Sequence, residues 1–304
     1  GNCHDVYQYP GLRIEEAYTE YVASGIEETG VRCQDCHMGP EPGVVSEREM
    51  GPIAVDPLGI EVYPDRERSS HRFVGPDYSL LDDFPYPDDL EASAAAQEEY
   101  LGQVQTLLNN SVALRHINFR DEDDGSLSLM GEVESLVDGH NVPTGFTSER
   151  QLWLQVRVTD GSGEIVFESG NLDSYGDLRD VHSWDVIEGL EEVDDYLVNF
   201  QSENRVFQRE YNSNGTFLDV DAEHTEPTVF PFDADVIVRR SLEPREIRQS
   251  NFPVGNPENG PYVAEIRLLY RNLPPYIMRA LQVDHLTPRL QTFTIDTRTM
   301  RSDE

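Results

Sequence analysis

The rhythm of hydrophobic and polar positions changes twice along the chain. In residues 12–28, LRIEEAYTEYVASGIEE, the residues Leu12, Ile14, Ala17, Tyr18, Tyr21 and Val22 fall at helix-like spacings, and Gly30 supplies a stop. Residues 39–90 then lose any period. MGPEPG, GPIAVDPLG and DDFPYPDD place Pro, Gly and Asp so densely that a long helix is excluded. A loop of that length in a compact domain is usually functional or held by something. Residues 88–112 recover a helical period. Asp residues precede this stretch, Leu101, Val104, Leu107 and Leu108 form its apolar stripe, and Asn109-Asn110 closes it.

Beyond that helix the period drops from about 3.6 to 2. SLSLMGEVESLV alternates. QLWLQVRVTDGSGEIVFESG reads as a hairpin, with Leu152, Leu154, Val156 and Val158 on one face and DGSG at the turn. DADVIVRRSL and YVAEIRLLYRN read as further strands, and PPYIMRAL as a short helical interruption. The expected fold class is α+β: a small region of helices and long loops in residues 1–120, then an antiparallel β-sandwich-like domain in residues 121–304. The boundary is expected near residues 116–126, where RDEDDG separates helix from strands.

Charge narrows the function classes. The 304 residues carry 58 acidic and 23 basic side chains, every basic one an Arg, for a net charge of −35. Such a chain repels phosphate backbones and anionic membranes, so nucleic acid is not an expected partner. Solubility in a salty medium and docking to a basic partner both fit the charge. No apolar run reaches the roughly 18–20 residues of a membrane span, and no secretory signal is visible.

The three cysteines, Cys3, Cys33 and Cys36, are too few and too uneven for a disulfide framework. VRCQDCHMGP instead holds a CxxCH. In a c-type haem site two thiols add to the porphyrin vinyl groups, and the next histidine ligates the iron. Cys33, Cys36 and His37 meet those requirements. A zinc site would want a second CxxC or an HxxxH pair, and neither exists. A thioredoxin-like pair would sit at a strand-to-helix turn, whereas this one follows a helix and precedes a Pro-rich loop. The opening GNCHD has the shape of the end of another such motif, so Cys3 and His4 are read as an incomplete second site. Two covalent haem c groups are expected.

The stretches CHDV, AYTEYVASGIEETGVRCQDCHMG, SSHRFVG, DGHNVPTGFTSERQLWLQVRVTDGSGEIVFESG, RSLEPRE and RLLYRNLPPYIM together resemble a multihaem cytochrome c family. Its members join a region of CxxCH motifs to a C-terminal β-rich domain with a GHxxPTG signature and a following RxxWL strand. The resemblance spans most of the chain. It departs from the family in two places: the first motif is incomplete, and the helix before the second CxxCH lacks the family's histidine after "S-x", because Ser24 is followed by Gly25 and Ile26. The distal partner for that haem must then come from elsewhere.

Six histidines lie outside the two Cys-His motifs. His71 in SSHRFVG and His140 in DGHNVPTGF are the leading distal ligands, the first in a loop that needs an anchor and the second on a tight turn. The alternative for His71 is a surface histidine hydrogen-bonded to Asp or Glu, and for His140 a histidine that braces its turn. His116 comes third and His182 lower; His224 and His285 read as structural or exposed. Met38 is expected to point away from the iron, and Met50 is a weak alternative ligand. Tyr7, Tyr9, Tyr18, Tyr21 and Phe73 read as packing around haem edges rather than electron relays.

The expected function is electron transfer between bis-His haems of this chain and those of neighbouring subunits or redox partners, without catalysis. The alternatives are a multihaem oxidoreductase acting on a small nitrogen or sulfur compound at an open iron, and an assembly role for the β-rich part. A homo-oligomer or larger multihaem assembly fits the electron-transfer reading. Covalent haem attachment happens outside the cytoplasm, so a periplasmic or extracellular location is expected.

Overall fold

The computed structural model describes residues 4–8, 11–47, 49–52, 54, 56–61, 65–68, 70, 72–211, 213–214 and 217–303. Cys3, Tyr9 and His71 lie outside the described residues.

The chain opens on a small hairpin, β1 (Val6–Gln8) against β2 (Leu12–Glu15), followed by helix α1 (Ala17–Ser24). The helix expected from residue 12 therefore starts five residues late. Leu12 and Ile14 alternate rather than wind, and Ile14 is buried from the strand. The inward side of α1 also differs from the expected stripe. Tyr18 and Val22 are exposed, and the buried residue is Glu20. Gly25 and Gly30, at φ of 74° and 83°, cap α1 and the 3₁₀ turn Ile26–Thr29, a conformation that costs glycine little. Helix α2 (Cys33–His37) follows. The Pro- and Gly-rich stretch holds only a two-stranded ribbon, β3 (Glu49–Gly51) with β4 (Arg66–Arg68).

The long helix is α3 (Leu90–Asn109). Asp89 caps it by accepting the Ala92 N–H at 3.0 Å. Asp89→Ala should lower stability by about 1 kcal/mol, read as a shift of the urea midpoint. Val104, Leu107 and Leu108 are buried, and Val104 and Leu108 enter the same core as the strands.

The rest is mostly β. The strands are β5 (Val112–Asp121), β6 (Leu127–Ser135), β7 (Gln151–Thr159) and β8 (Ile165–Ser169). After the short helix α4 (Trp184–Ile187) come β9 (Glu203–Tyr211), β10 (Phe217–Pro227), β11 (Val236–Val238), β12 (Ile247–Gly255) and β13 (Val263–Arg271). Helix α5 (Pro275–Ala280) and β14 (Phe293–Arg301) end the chain. Two antiparallel sheets, ordered β12-β6-β5 and β14-β13-β7-β8, lie face to face. Leu114, Leu129, Val133 and Phe252 from one meet Leu154, Val156, Ile266 and Leu268 from the other in one core. A third sheet, β10-β9-β11, stands beside them. The fold is thus α+β, with its helices mostly toward the N-terminus and antiparallel sheets in the C-terminal part.

The hairpin expected at residues 151–170 is present as β7 and β8. Strand β7 is buried on both faces, because Trp153 on the far side packs with Leu178 and Leu269 and donates its indole N–H to Gly170 O at 3.2 Å. Glu122, Asp123, Asp124 and Gly125 make the turn between β5 and β6, where Glu122 N–H reaches Ser126 O at 2.9 Å.

Candidate functional site

Helix α2 is short but held at both ends. Arg32 is extended, and its N–H donates to Asp35 Oδ2 at 2.8 Å, as at the start of a capping box. The Asp35 carbonyl accepts both the N–H and the hydroxyl of Ser46 at 3.0 Å, and the Cys36 carbonyl accepts Gly43 N–H at 2.9 Å. Asn110, at the end of α3, donates to Pro42 O at 2.9 Å. The breaker-rich loop thus folds back and ties α2 to α3. Cys33 is exposed and Cys36 half-buried, and both are free thiols. Three residues apart on a helix, they share one face. Burial first, then the charges of Asp35, Cys33 and Asp138, raises the Cys36 pKa.

The segment after residue 69 wraps the histidine. Ser70 donates its N–H and hydroxyl to Met38 O at 3.3 and 3.0 Å. Val74 N–H reaches His37 O at 2.9 Å, while His37 Nδ1 lies 2.7 Å from Val74 O. The Phe73 ring stacks on the His37 imidazole, with centroids 5.0 Å apart and planes 12° apart. The Tyr100 hydroxyl, from α3, sits 3.3 Å from Gly75 N and O. Ser70, Phe73, Val74 and Gly75 of this stretch thus pack about His37 and its helix, while His71 lies outside the described residues.

A backbone carbonyl can only accept, so Nδ1 of His37 carries the proton and Nε2 keeps its lone pair. His140 repeats this arrangement, with Nδ1 2.7 Å from Asn141 O. Burial pulls the pKa of both rings down. His37 is further lowered by the nearby charge of His4, against the pull of Val74 O. His140 falls to about 4, burial outweighing the Asn141 carbonyl, with the charges of His37 and Arg150 adding to the drop. Both rings are therefore neutral at ordinary pH, and each has a bare Nε2. Their centroids are 6.1 Å apart and their planes 22° apart. This is the donor set a haem iron needs, with two thiols on the adjacent helix face. Among the described residues no group of three or more His, Cys, Asp or Glu gathers to bind a metal ion directly.

The turn that carries His140 is built by the GHNVPTG stretch. Val142 and Leu242 exchange N–H···O bonds of 2.8 Å, which fix the turn to the sandwich. Arg150 donates to Thr144 O and pairs with Asp77 at 2.6 Å. The other tie comes from α1. The Glu20 carboxylate accepts Asn141 N–H at 3.2 Å, Asn141 Nδ2 at 3.1 Å and the Thr144 hydroxyl. Burial lifts the Glu20 pKa to about 7; the Thr144 and Asn141 hydrogen bonds oppose it, Glu16 adds to it and Arg239 subtracts. Sequence reasoning missed Glu20. The available signal was a carboxylate between Ala17 and Tyr21 on the inward side of a short helix.

The remaining candidates scatter. His4 is largely exposed, with Nδ1 3.8 Å from Glu15, and its carbonyl accepts Tyr18 N–H at 3.2 Å. Asp5 accepts the N–H and hydroxyl of Thr19 at 3.1 and 2.6 Å, so the segment just after His4 is pinned to α1. His116 is exposed on β5 at a bulge, and no described ring contact joins it to α2. His182 stacks on Tyr276 at 4.4 Å, His224 pairs with Asp221 at 2.6 Å, and His285 is exposed. Met50 is exposed, and Met38 closes α2 through its backbone.

No family model matches the chain, and neither does any curated protein. Its fold is similar to that of a solved multihaem cytochrome. That structure is the penta-haem cytochrome c552 of Thermochromatium tepidum, with a TM-score of 0.54 and 15% sequence identity. The match covers 98% of this chain and 53% of that one, so this chain spans about half the length of its counterpart. At this identity the likeness is one of fold.

Proposed function

We propose that this chain is a c-type cytochrome, or part of one, that moves electrons and performs no catalysis of its own. Cys33 and Cys36 hold a haem by thioethers, His37 is its proximal ligand and His140 its distal one. The observation that carries this is the paired imidazoles. Two neutral rings, each with Nδ1 spent on a backbone carbonyl, stand 6.1 Å apart behind a CxxC. With metal–imidazole bonds of about 2 Å and roughly another 1 Å to each ring centre, two rings on one metal sit about 6 Å apart. Bound haem supplies one-electron chemistry at its iron. The residues keep two nitrogens unprotonated, fix both rings by hydrogen bonds and put Phe73 against His37.

His4 and Cys3 serve a second haem in the same reading, with His71 as its distal ligand. The charge coupling between His4 and His37 supports placing the two groups close together. The fold likeness to a penta-haem cytochrome supports the class. Periplasmic or extracellular residence, and electron exchange with other haem-bearing subunits or redox proteins, complete the proposal.

Intact-mass analysis with a pyridine haemochrome spectrum tests it, after expression in a host that matures c-type cytochromes. Covalent haem that stays with the protein in acidified acetone, and no carbon monoxide adduct on the reduced Cys33–Cys36 haem, are expected. A colourless protein, or pigment extracted by the solvent, would overturn the reading. An adduct at that haem would favour the open-iron oxidoreductase.

A further inference from the structure

We infer that Glu20 is the positioning residue for His140, acting through the Asn141 peptide to set the orientation of the distal imidazole; this rests on the ligand reading above. The connection is continuous. Glu20 holds Asn141 by its N–H and its side-chain amide, and the Asn141 carbonyl in turn takes the Nδ1 proton of His140. Held by its N–H and its side-chain amide, residue 141 is fixed in place, and its carbonyl, in the next peptide unit, is the partner that decides how the His140 ring is turned. The third bond, from the Thr144 hydroxyl, locks the far side of the same turn.

The placement of the carboxylate also argues for a dedicated role. Burying a carboxylate costs free energy, and packing alone would be met as well by an apolar side chain. Glu20 is 8% exposed, and all three of its hydrogen bonds go to residues within four positions of His140. It stands on the helix between the two Cys-His motifs, more than a hundred residues before the turn it holds. One side chain thus joins the segment leading into CxxCH to the segment bearing the opposite ligand.

The test compares wild type, Glu20→Leu and Glu20→Gln as holoproteins, by haem content and by the low-spin EPR signal, whose g values follow the relative orientation of two axial imidazoles. Glu20→Leu should keep its covalent haem while the g values shift and the high-spin fraction rises about tenfold or more, the scale of buried hydrogen-bond donors left without their partner. Glu20→Gln, which keeps an oxygen for Asn141 N–H, should restore most of the native signal. A Glu20→Leu spectrum identical to wild type at equal haem content would overturn the inference. If Glu20→Leu does not fold, the pair Asn141→Ala and Thr144→Val removes the two side-chain bonds from the turn side and leaves only the backbone N–H of residue 141 on Glu20; an unchanged spectrum there overturns the inference too. Wild-type protein without thioether haem would refute the reading of the site instead, so the two failures are separable.

Discussion

Replacing His140 with alanine should convert the proposed haem on Cys33 and Cys36 from a six-coordinate low-spin centre to a high-spin one, with the covalent haem count unchanged. Thioether attachment depends on the two thiols and His37 on α2, which His140 does not touch through its backbone. In the proposed site the second imidazole is carried by a turn more than a hundred residues later, with its ring 6.1 Å from that of His37. Cyanide and carbon monoxide, which a bis-imidazole centre resists, should then bind. EPR and ligand titration read this directly. His116→Ala is the internal control: that ring is exposed on β5, and its loss should leave both measurements as in wild type. A His140→Ala protein that stays low-spin would mean that another side chain caps the iron.

The second large effect is on stability against pH. The Glu20 pKa is lifted by burial from its ordinary 4.5 to about 7. Between those two values the native state keeps a proton that the unfolded chain has released. Stability from this group is therefore full below about pH 4.5 and declines as pH rises through 7. The expected loss is on the order of 3 kcal/mol across that window. Thr144 accommodates the proton, because its hydroxyl can accept as well as donate. Urea unfolding of wild type and Glu20→Gln at a series of pH values isolates the effect. Asp177 and Asp180, both raised to about 6 by burial, titrate in both proteins and cancel in the difference. Equal slopes for the two proteins would show that Glu20 is not the titrating group.

These expectations rest on features of different legibility. The cysteine spacing was readable as a local matter: a CxxCH puts two thiols on one helix face with a histidine beside them, and α2 has that arrangement. The long helix was readable from its Asp89 cap and its Leu101–Leu108 stripe, and the hairpin at residues 151–170 from strict alternation around DGSG. The start of α1 was misread because Leu12 and Ile14 satisfy a helical and a strand period alike over so few residues, and pairing with β1 decides between them. Strands β5, β9, β10, β12 and β14 were passed over. Their exposed positions are largely polar, as with Arg115, Asn118 and Arg120 on β5 or Gln249 and Asn251 on β12, which blurs the alternation, and pairing with a neighbouring strand makes them strands.

By itself, then, the sequence determined the CxxCH spacing, the strongly acidic character and the change from helices to antiparallel strands. Each follows from short-range spacing or from composition. Only the tertiary structure decided that His140 rather than His116 faces His37, that Val74 and Asn141 carbonyls leave both Nε2 atoms bare, and that Glu20 holds the distal turn. The reason is physical. Ring orientation, tautomer and burial depend on which distant backbone groups arrive at a side chain, and that is fixed by how the turn after β6 packs against α1 and α2, not by the residues next in line.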